Sequence, residues 1–420
     1  MLSSRGKQNA ETFSIPWRYA HPHTYDKKTN PKGVISLGLA EHAPLRTDIA
    51  EYLTNKVVFT EDSVGYKSAS PAATRLPKAL ASHLNRLLQP ISPIDPDEIV
   101  VASGATAIGS MLGFSLAEPS DGILVSRPVY GRFELDYGIE AGVQVVYADT
   151  DVNEAFSPTV VNEYKVALED AKARGIAVRA VIVVNPHNPV GRCYPVETLR
   201  EILSFCNEHQ LHFISDEIYA SCVFDSGDPN AEPFTSILSL STPDLIAPDL
   251  VHVLYGLSKD FASGGLRLGF LITKNENLRQ SCKAILRLHN VSELAVTAAA
   301  TMFEDTEFIS QFTAKSQRLL AKAYRIITST LDQEGINYAR GGNAGFFLYV
   351  DLSPYLPKGA QTAQEKEFTL AQRFLDAGVF LHPGEEHSKT PGWFRMVFSQ
   401  DEEVLEEGLR RIISVVRNLK

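Results

Sequence analysis

Apolar and polar positions alternate along the chain with two periods, and the switches between them set out the fold. Near the start, Gly33 to Ala40 reads as a short strand closing in a small-residue turn at Glu41 and His42. Apolar Ile49, Leu53 and Val57, four residues apart, predict a helix over Thr47 to Phe59, and Leu76 to Leu88 repeats the pattern. From Glu98 onward, short apolar runs alternate with amphipathic stretches. Strands are expected at Glu98–Ala102, Gly122–Ser126, Val143–Tyr147, Val178–Val184, Leu211–Ser215, Val251–Tyr255 and Gly269–Thr273. Helices are expected at Ala107–Ala117 and Val196–Glu208, the latter with Leu199, Ile202, Leu203 and Cys206 on one face. Such alternation predicts a mostly parallel sheet covered by helices on both faces, hence an α/β fold.

After about Thr297 the pattern changes. A long helix is expected over Phe308–Leu331, then a strand over Ala344–Asp351 and a helix over Lys366–Ala377. Strands at Gly378–His382 and Trp393–Phe398 and a terminal helix over Asp401–Leu419 follow. This is α+β in character. The expected division is an N-terminal arm plus part of a small domain at 1–60, a large domain at 61–297 and a small domain at 298–420. Residues 1–30 are polar, carry Pro16 and Pro22, and read as an extended arm.

The totals narrow the function classes. A chain of 420 residues with 44% hydrophobic and 21% charged residues has ample material for a core. A net charge of −10 argues against non-specific nucleic-acid or anionic-membrane binding. No apolar run of about 18 residues is present, and the first ten residues hold no signal-peptide core. The cysteines at 193, 206, 222 and 282 lack CxxC spacing, so we expect reduced thiols and a cytoplasmic protein without a metal site. His21-Pro-His23 reads as a solvated loop.

The chemistry centres on Tyr255-Gly-Leu-Ser-Lys259-Asp-Phe-Ala-Ser-Gly-Gly-Leu-Arg267-Leu-Gly269. A lysine just past a buried strand is poorly hydrated, so its amine becomes a usable nucleophile toward a carbonyl. Arg267, eight residues on beyond a Gly/Ser-rich turn, can fold back to offer a phosphate a forked donor pair. Asp216 ends a strand and can hold a pyridine nitrogen protonated, although a lone Asp there also serves as a helix cap. Tyr219 shares a face with Asp216 if the chain turns helical. Asn188, in Asn185-Pro-His-Asn188-Pro, can donate to a ring oxygen or simply make a turn. Ala105 and Thr106 open a helix whose free amides suit a phosphate. Tyr130 can stack on a ring or pack in the core. Arg395, in an apolar strand, suits a carboxylate or a surface ion pair.

Taken together, Asn185–Gly191, Ser215-Asp216-Glu-Ile-Tyr219, Ser258-Lys259-Asp through Arg267-Leu-Gly269, and Phe394-Arg395 resemble the class I/II aminotransferases of pyridoxal phosphate (PLP) fold type I. Gly38-Leu-Ala-Glu41, Gly104-Ala-Thr-Ala107 and Asn343-Ala-Gly-Phe-Phe-Leu are similar to the 1-aminocyclopropane-1-carboxylate (ACC) synthase branch. The resemblance implies pyridoxal 5'-phosphate as cofactor, an amino-acid substrate and a homodimer with shared active sites. It implies Lys259 as Schiff-base lysine and proton shuttle, Asp216 on the ring nitrogen, Asn188 and Tyr219 on the ring oxygen, and Tyr130 stacked on the ring. Ala105, Thr106, Ser258 and Arg267 would bind phosphate, with Tyr66 reaching it from the other subunit. Arg395 would take the α-carboxylate, near Glu41. Lyase/synthase chemistry is expected ahead of transamination, and a non-catalytic member of the fold is a third, remote reading.

The chain departs from the pattern in three places. His42 stands where the family usually has Asn. Gly256 replaces a frequent Ser three before the lysine. The loop after Tyr66 lacks the usual His-Gly or Asp-Gly. Two of these are expected beside the substrate pocket.

Overall fold

The computed structural model describes residues 1–17, 19–66, 72–384, 388 and 390–419. Its largest element is a seven-stranded sheet built from β2 (Ile99–Ala102), β3 (Gly122–Arg127), β4 (Gln144–Asp149), β5 (Val178–Val184), β6 (His212–Asp216), β7 (Val251–Gly256) and β8 (Gly269–Thr273). The spatial order is β2-β8-β7-β6-β5-β3-β4. The run β4-β3-β5-β6-β7 is parallel, and β8 runs against both of its neighbours. Strand β5, in the middle of the parallel run and reading Val-Arg-Ala-Val-Ile-Val-Val, is apolar on both faces from Ala180 on, as burial beneath two helical layers requires.

Successive residues of each strand enter opposite cores. Ile123, Val125, Ile182 and Leu254 join Ile108, Met111 and Leu112 of α4 (Ala105–Leu116) and Leu278 of α9 (Glu276–Ile285) on one face. On the other, Leu124, Val181, Phe213 and Val253 pack with α3 (Ala72–Leu88), α6 (Val160–Ala173), α7 (Val196–Glu208) and α10 (Glu293–Glu304). A third buried cluster gathers around the antiparallel pair β9 (Phe347–Asp351) and β11 (Trp393–Val397) with α11 (Thr306–Glu334), α12 (Ala363–Asp376) and α13 (Glu402–Arg417). The N-terminal strand β1 (Ile35–Ser36) pairs with β10 (Val379–Phe380) and so joins this cluster.

Three expectations need correction. The arm is not wholly extended: Ser4–Phe13 forms helix α1, started by the Ser3 hydroxyl accepting from the Gly6 N–H at 3.1 Å. It buries no residue, which is why apolar periodicity did not reveal it. Helix α4 begins at Ala105, two residues before the expected start at Ala107, after a bend at Ser103 and Gly104, the latter at φ +100°. Residue 297, the expected edge of the large domain, falls inside α10, whose Val296 and Ala300 belong to the core beside the sheet. Cys193, Cys206, Cys222 and Cys282 are buried free thiols. Among the described residues no helix is long and apolar enough to cross a membrane.

Candidate active site

The carboxyl ends of β2, β3, β5, β6 and β7 lie along one edge of the sheet, and the chain leaves each into a turn. In parallel sheets this edge is where ligands bind. Because β8 runs backwards, its amino end lies at the same edge, so Arg267, two residues before it, joins the others. The result is a cavity of about 620 Å³. Glu41, Ala105, Thr106, Tyr130, Asn188, Asp216, Tyr219, Ser258, Lys259, Arg267 and Arg395 all line it. Eleven residues drawn from eight separate stretches of chain are thus brought to one place. Tyr66 is not among them: it is 93% exposed, and residues 67–71, which carry most of the departing loop, lie outside the described residues.

Lys259 sits in the short helix α8 (Leu257–Asp260), directly after β7. Its Nζ donates to the carbonyl of Ala40 at 2.7 Å. Burial, reinforced by the Arg395 charge, pulls the ammonium down to about 8, while Glu41 and Asp216 act in the opposite sense. Next to Lys259, Asp260 anchors the helix. Its carboxylate accepts from the Ser221 N–H at 2.9 Å, the Tyr255 hydroxyl at 2.9 Å and the Cys222 thiol at 3.1 Å.

Asp216 is the last residue of β6 and 6% exposed. Burial lifts its carboxyl to about 7, opposed by the Ile218 N–H, which donates to it at 3.3 Å, and by Lys259. The backbone contact is the turn-capping role that sequence left open, and it coexists with a carboxylate facing the cavity. The chain after Asp216 is a turn, not the helix that would have placed Tyr219 on its face. Tyr219 arrives instead by packing edge-on against Phe346 and Phe347, at 5.4 and 5.2 Å between centroids. Burial holds its hydroxyl protonated, hence a donor.

Arg395, in the middle of β11, is 6% exposed, which removes the surface-ion-pair reading. It donates to Asn188 Oδ1 at 3.2 Å and to the Gly38 carbonyl at 2.8 Å. Asn188 therefore touches the arginine and the cavity at once.

The phosphate end rests on small residues. A Cβ on Gly104 would lie 2.6 Å from Arg267 Nη2, and one on Gly269 would lie 2.4 Å from the carbonyl carbon of Gly104. Arg267 itself takes φ +52° and donates to the carbonyls of Gly264 at 3.1 Å and Ser103 at 3.4 Å. The guanidinium is thereby held against the first turn of α4, where the amides of Ala105 and Thr106 have no partner inside the helix. Gly256 also lines the cavity; a Cβ there would press on the Leu268 carbonyl at 3.1 Å.

These groups fit pyridoxal 5'-phosphate. There is an amine for the aldehyde, a carboxylate for the ring nitrogen, donors for the ring oxygen, and a cationic amide-lined cradle with no side chain in the way.

His42 overturns one expectation. It is buried behind the cavity wall, its ring edge-on to Phe346 at 5.4 Å, and does not line the pocket. Sequence reasoning also missed residues that do. Asp136 accepts from the Thr106 hydroxyl and is lifted to about 7 by burial. Arg46 lies 3.7 Å from Glu41. Arg132, Tyr19, His21 and His23 stand around the mouth, so the histidine loop borders the cavity. Asp136 and Arg132 belong to α5 (Phe133–Gly138) and its cap, an element too short to leave a periodic signal.

The sequence model described as aminotransferase class I and II matches residues 42–412. A human 1-aminocyclopropane-1-carboxylate synthase-like protein 1 is 32% identical, over 99% of this chain and 83% of its own. The 1-aminocyclopropane-1-carboxylate synthase 1 of Prunus mume is 30% identical, over 100% of this chain and 86% of its own. Among solved structures, an aromatic aminotransferase from Pyrococcus horikoshii superposes with a TM-score of 0.74 at 22% identity, covering 94% of this chain and 98% of that one.

Proposed function

The chain belongs to the aminotransferase class I and II family, which uses pyridoxal 5'-phosphate, and from that premise we propose that it is an ACC synthase-like enzyme of amino-acid substrates. In this reading it removes the α-proton and expels a leaving group from the β- or γ-carbon. The observation that carries it is the buried, acidified amine of Lys259 in one cavity with Asp216, Arg267 and Arg395.

When bound, the cofactor supplies an aldehyde and an electron-withdrawing ring. Lys259 would hold the aldehyde end, and its amine, brought down to about 8 by burial, is matched to taking the α-proton at neutral pH. Asp216 keeps a proton on the ring nitrogen. Tyr219 and Asn188 donate to the ring oxygen, and Tyr130 covers the ring. Arg267, Ser258 and the amides of Ala105 and Thr106 hold the phosphate. Arg395 grips the α-carboxylate with its paired N–H groups. Glu41 favours elimination over transamination in our reading, because its carboxylate faces Lys259 from the substrate side and can steer a leaving group.

We also propose a homodimer. Val58, Phe59, Val64 and Tyr66 are exposed in one short stretch, and Phe59 lines a groove shared with Ser103 and Arg267. A partner's Tyr66-bearing loop laid there would reach the phosphate end.

The deciding experiment mixes the cofactor-loaded protein with S-adenosylmethionine and, separately, with an amino acid plus 2-oxoglutarate. Release of methylthioadenosine supports the synthase reading; formation of glutamate supports the transaminase. The absence of both refutes the two substrate readings, while a yellow protein that bleaches with borohydride, and a Lys259→Ala variant that takes up no covalent cofactor under the same treatment, keeps the cofactor assignment.

A further inference from the structure

The cavity contains four arginines, and three of them are occupied. Arg395 donates to Asn188 and Gly38, Arg267 donates to Gly264 and Ser103, and Arg46 lies against Glu41. Arg132 is the fourth. Among the described residues its guanidinium makes no hydrogen bond and lies within ion-pair distance of no carboxylate. It lies over the ring of Tyr19, with Cζ 4.8 Å from the centroid. That contact uses the flat face of the guanidinium and leaves its N–H edge for a planar acceptor.

The position of Arg132 is on the substrate side. Tyr19 precedes Ala20, and Ala20 packs 3.6 Å from where a Gly38 Cβ would stand. Gly38 is the residue whose carbonyl Arg395 holds. Arg132 and Arg395 both act electrostatically on the hydroxyl of Tyr130, in the same sense as each other and against Asp136 and Asp216. A molecule held by its α-carboxylate on Arg395 thus shares the cavity with a second, half-buried cation.

We propose that Arg132, backed by Tyr19, binds an anionic group on the substrate's side chain, so that the enzyme takes amino acids carrying a second carboxylate. This rests on the reading of Arg395 as the α-carboxylate site. Within the cavity the Arg132 charge acts on Asp136 only through space, without a hydrogen bond, so the bidentate contact that a carboxylate provides is left to a ligand.

Calorimetric titration of the cofactor-loaded protein with succinate and with butyrate tests it. The two differ by one carboxylate, and neither carries an amine that can react. Succinate should bind roughly ten to a hundred times tighter, the range of one charge-assisted bidentate contact. Arg132→Met should erase that preference while leaving butyrate affinity unchanged, which also shows that the variant is folded. Arg132→Lys, which keeps charge but loses the fork, should retain only part of it. Equal binding of the two ligands by the unaltered protein, or a preference that survives Arg132→Met, overturns the assignment and leaves Arg395 in place. If neither ligand binds, the α-carboxylate role of Arg395 falls too.

Discussion

At the scale of single residues, the sequence carried the chemistry further than it carried the geometry. Lys259, Asp216 and Arg395 were legible because a charged group at the end of an apolar run, or within one, is costly unless it has a use. Arg132 and Asp136 were not, because a six-residue helix gives no period against which a polar residue looks out of place. His42 shows the converse error: neighbouring Glu41 in sequence placed it at the pocket, yet the backbone turns its ring into the core beside Phe346. The depressed ammonium of Lys259 gives a direct test. With a pKa near 8, about one amine in ten is neutral at pH 7, against roughly one in three thousand for an ordinary lysine. Pulse acylation of the cofactor-free protein, read by peptide mass spectrometry, should therefore label Lys259 with a pH midpoint near 8. Surface lysines should still be rising above pH 10. A midpoint for Lys259 that matches theirs would contradict its burial.

At the scale of elements, strand positions were foreseeable and the helices between them less so. Apolar runs such as Val178–Val184 declare a buried strand, whereas α6, α9 and α10 present mixed faces that pack onto neighbours far away in sequence. The four-residue helix α8 is too short to hold itself. Asp260 holds it, by gathering donors from Tyr255 and from Ser221 and Cys222 of a distant turn, and Tyr255 lies 3.3 Å from the ring of His83 in α3. Asp260→Ala leaves those buried donors unsatisfied, at a cost of about 2–5 kcal/mol. Denaturant titration should show that loss. Tyr255→Phe, which removes one hydroxyl, should lose only about 1–2 kcal/mol. If both variants lose equally, the carboxylate is not the hub of this network.

At the scale of the whole molecule, the cavity lies where the sheet meets the β9/β11 cluster. Lys259, Asp216 and Arg267 come from one side; Glu41 and Arg395 come from stretches packed into the other. Sequence order led us to expect a change of character near residue 297, where the apolar pattern shifts, but that position falls within α10. Sequence order could not indicate that residues 19–23 return to the mouth, because that path depends on tertiary packing such as the stacking of Trp17 on Phe380 at 5.9 Å. One contact across the sheet edge has a reach beyond its size. Gly269, paired with Ala102 across β2 and β8, meets the main chain of Gly104 in the turn just beyond. If both codons are randomised together and clones are screened for yellow colour, survivors should carry glycine at 269 irrespective of the residue at 104. No second change elsewhere can relieve a collision with the main chain itself, so the genotype map at this pair should hold a single narrow ridge and no compensating valley crossing.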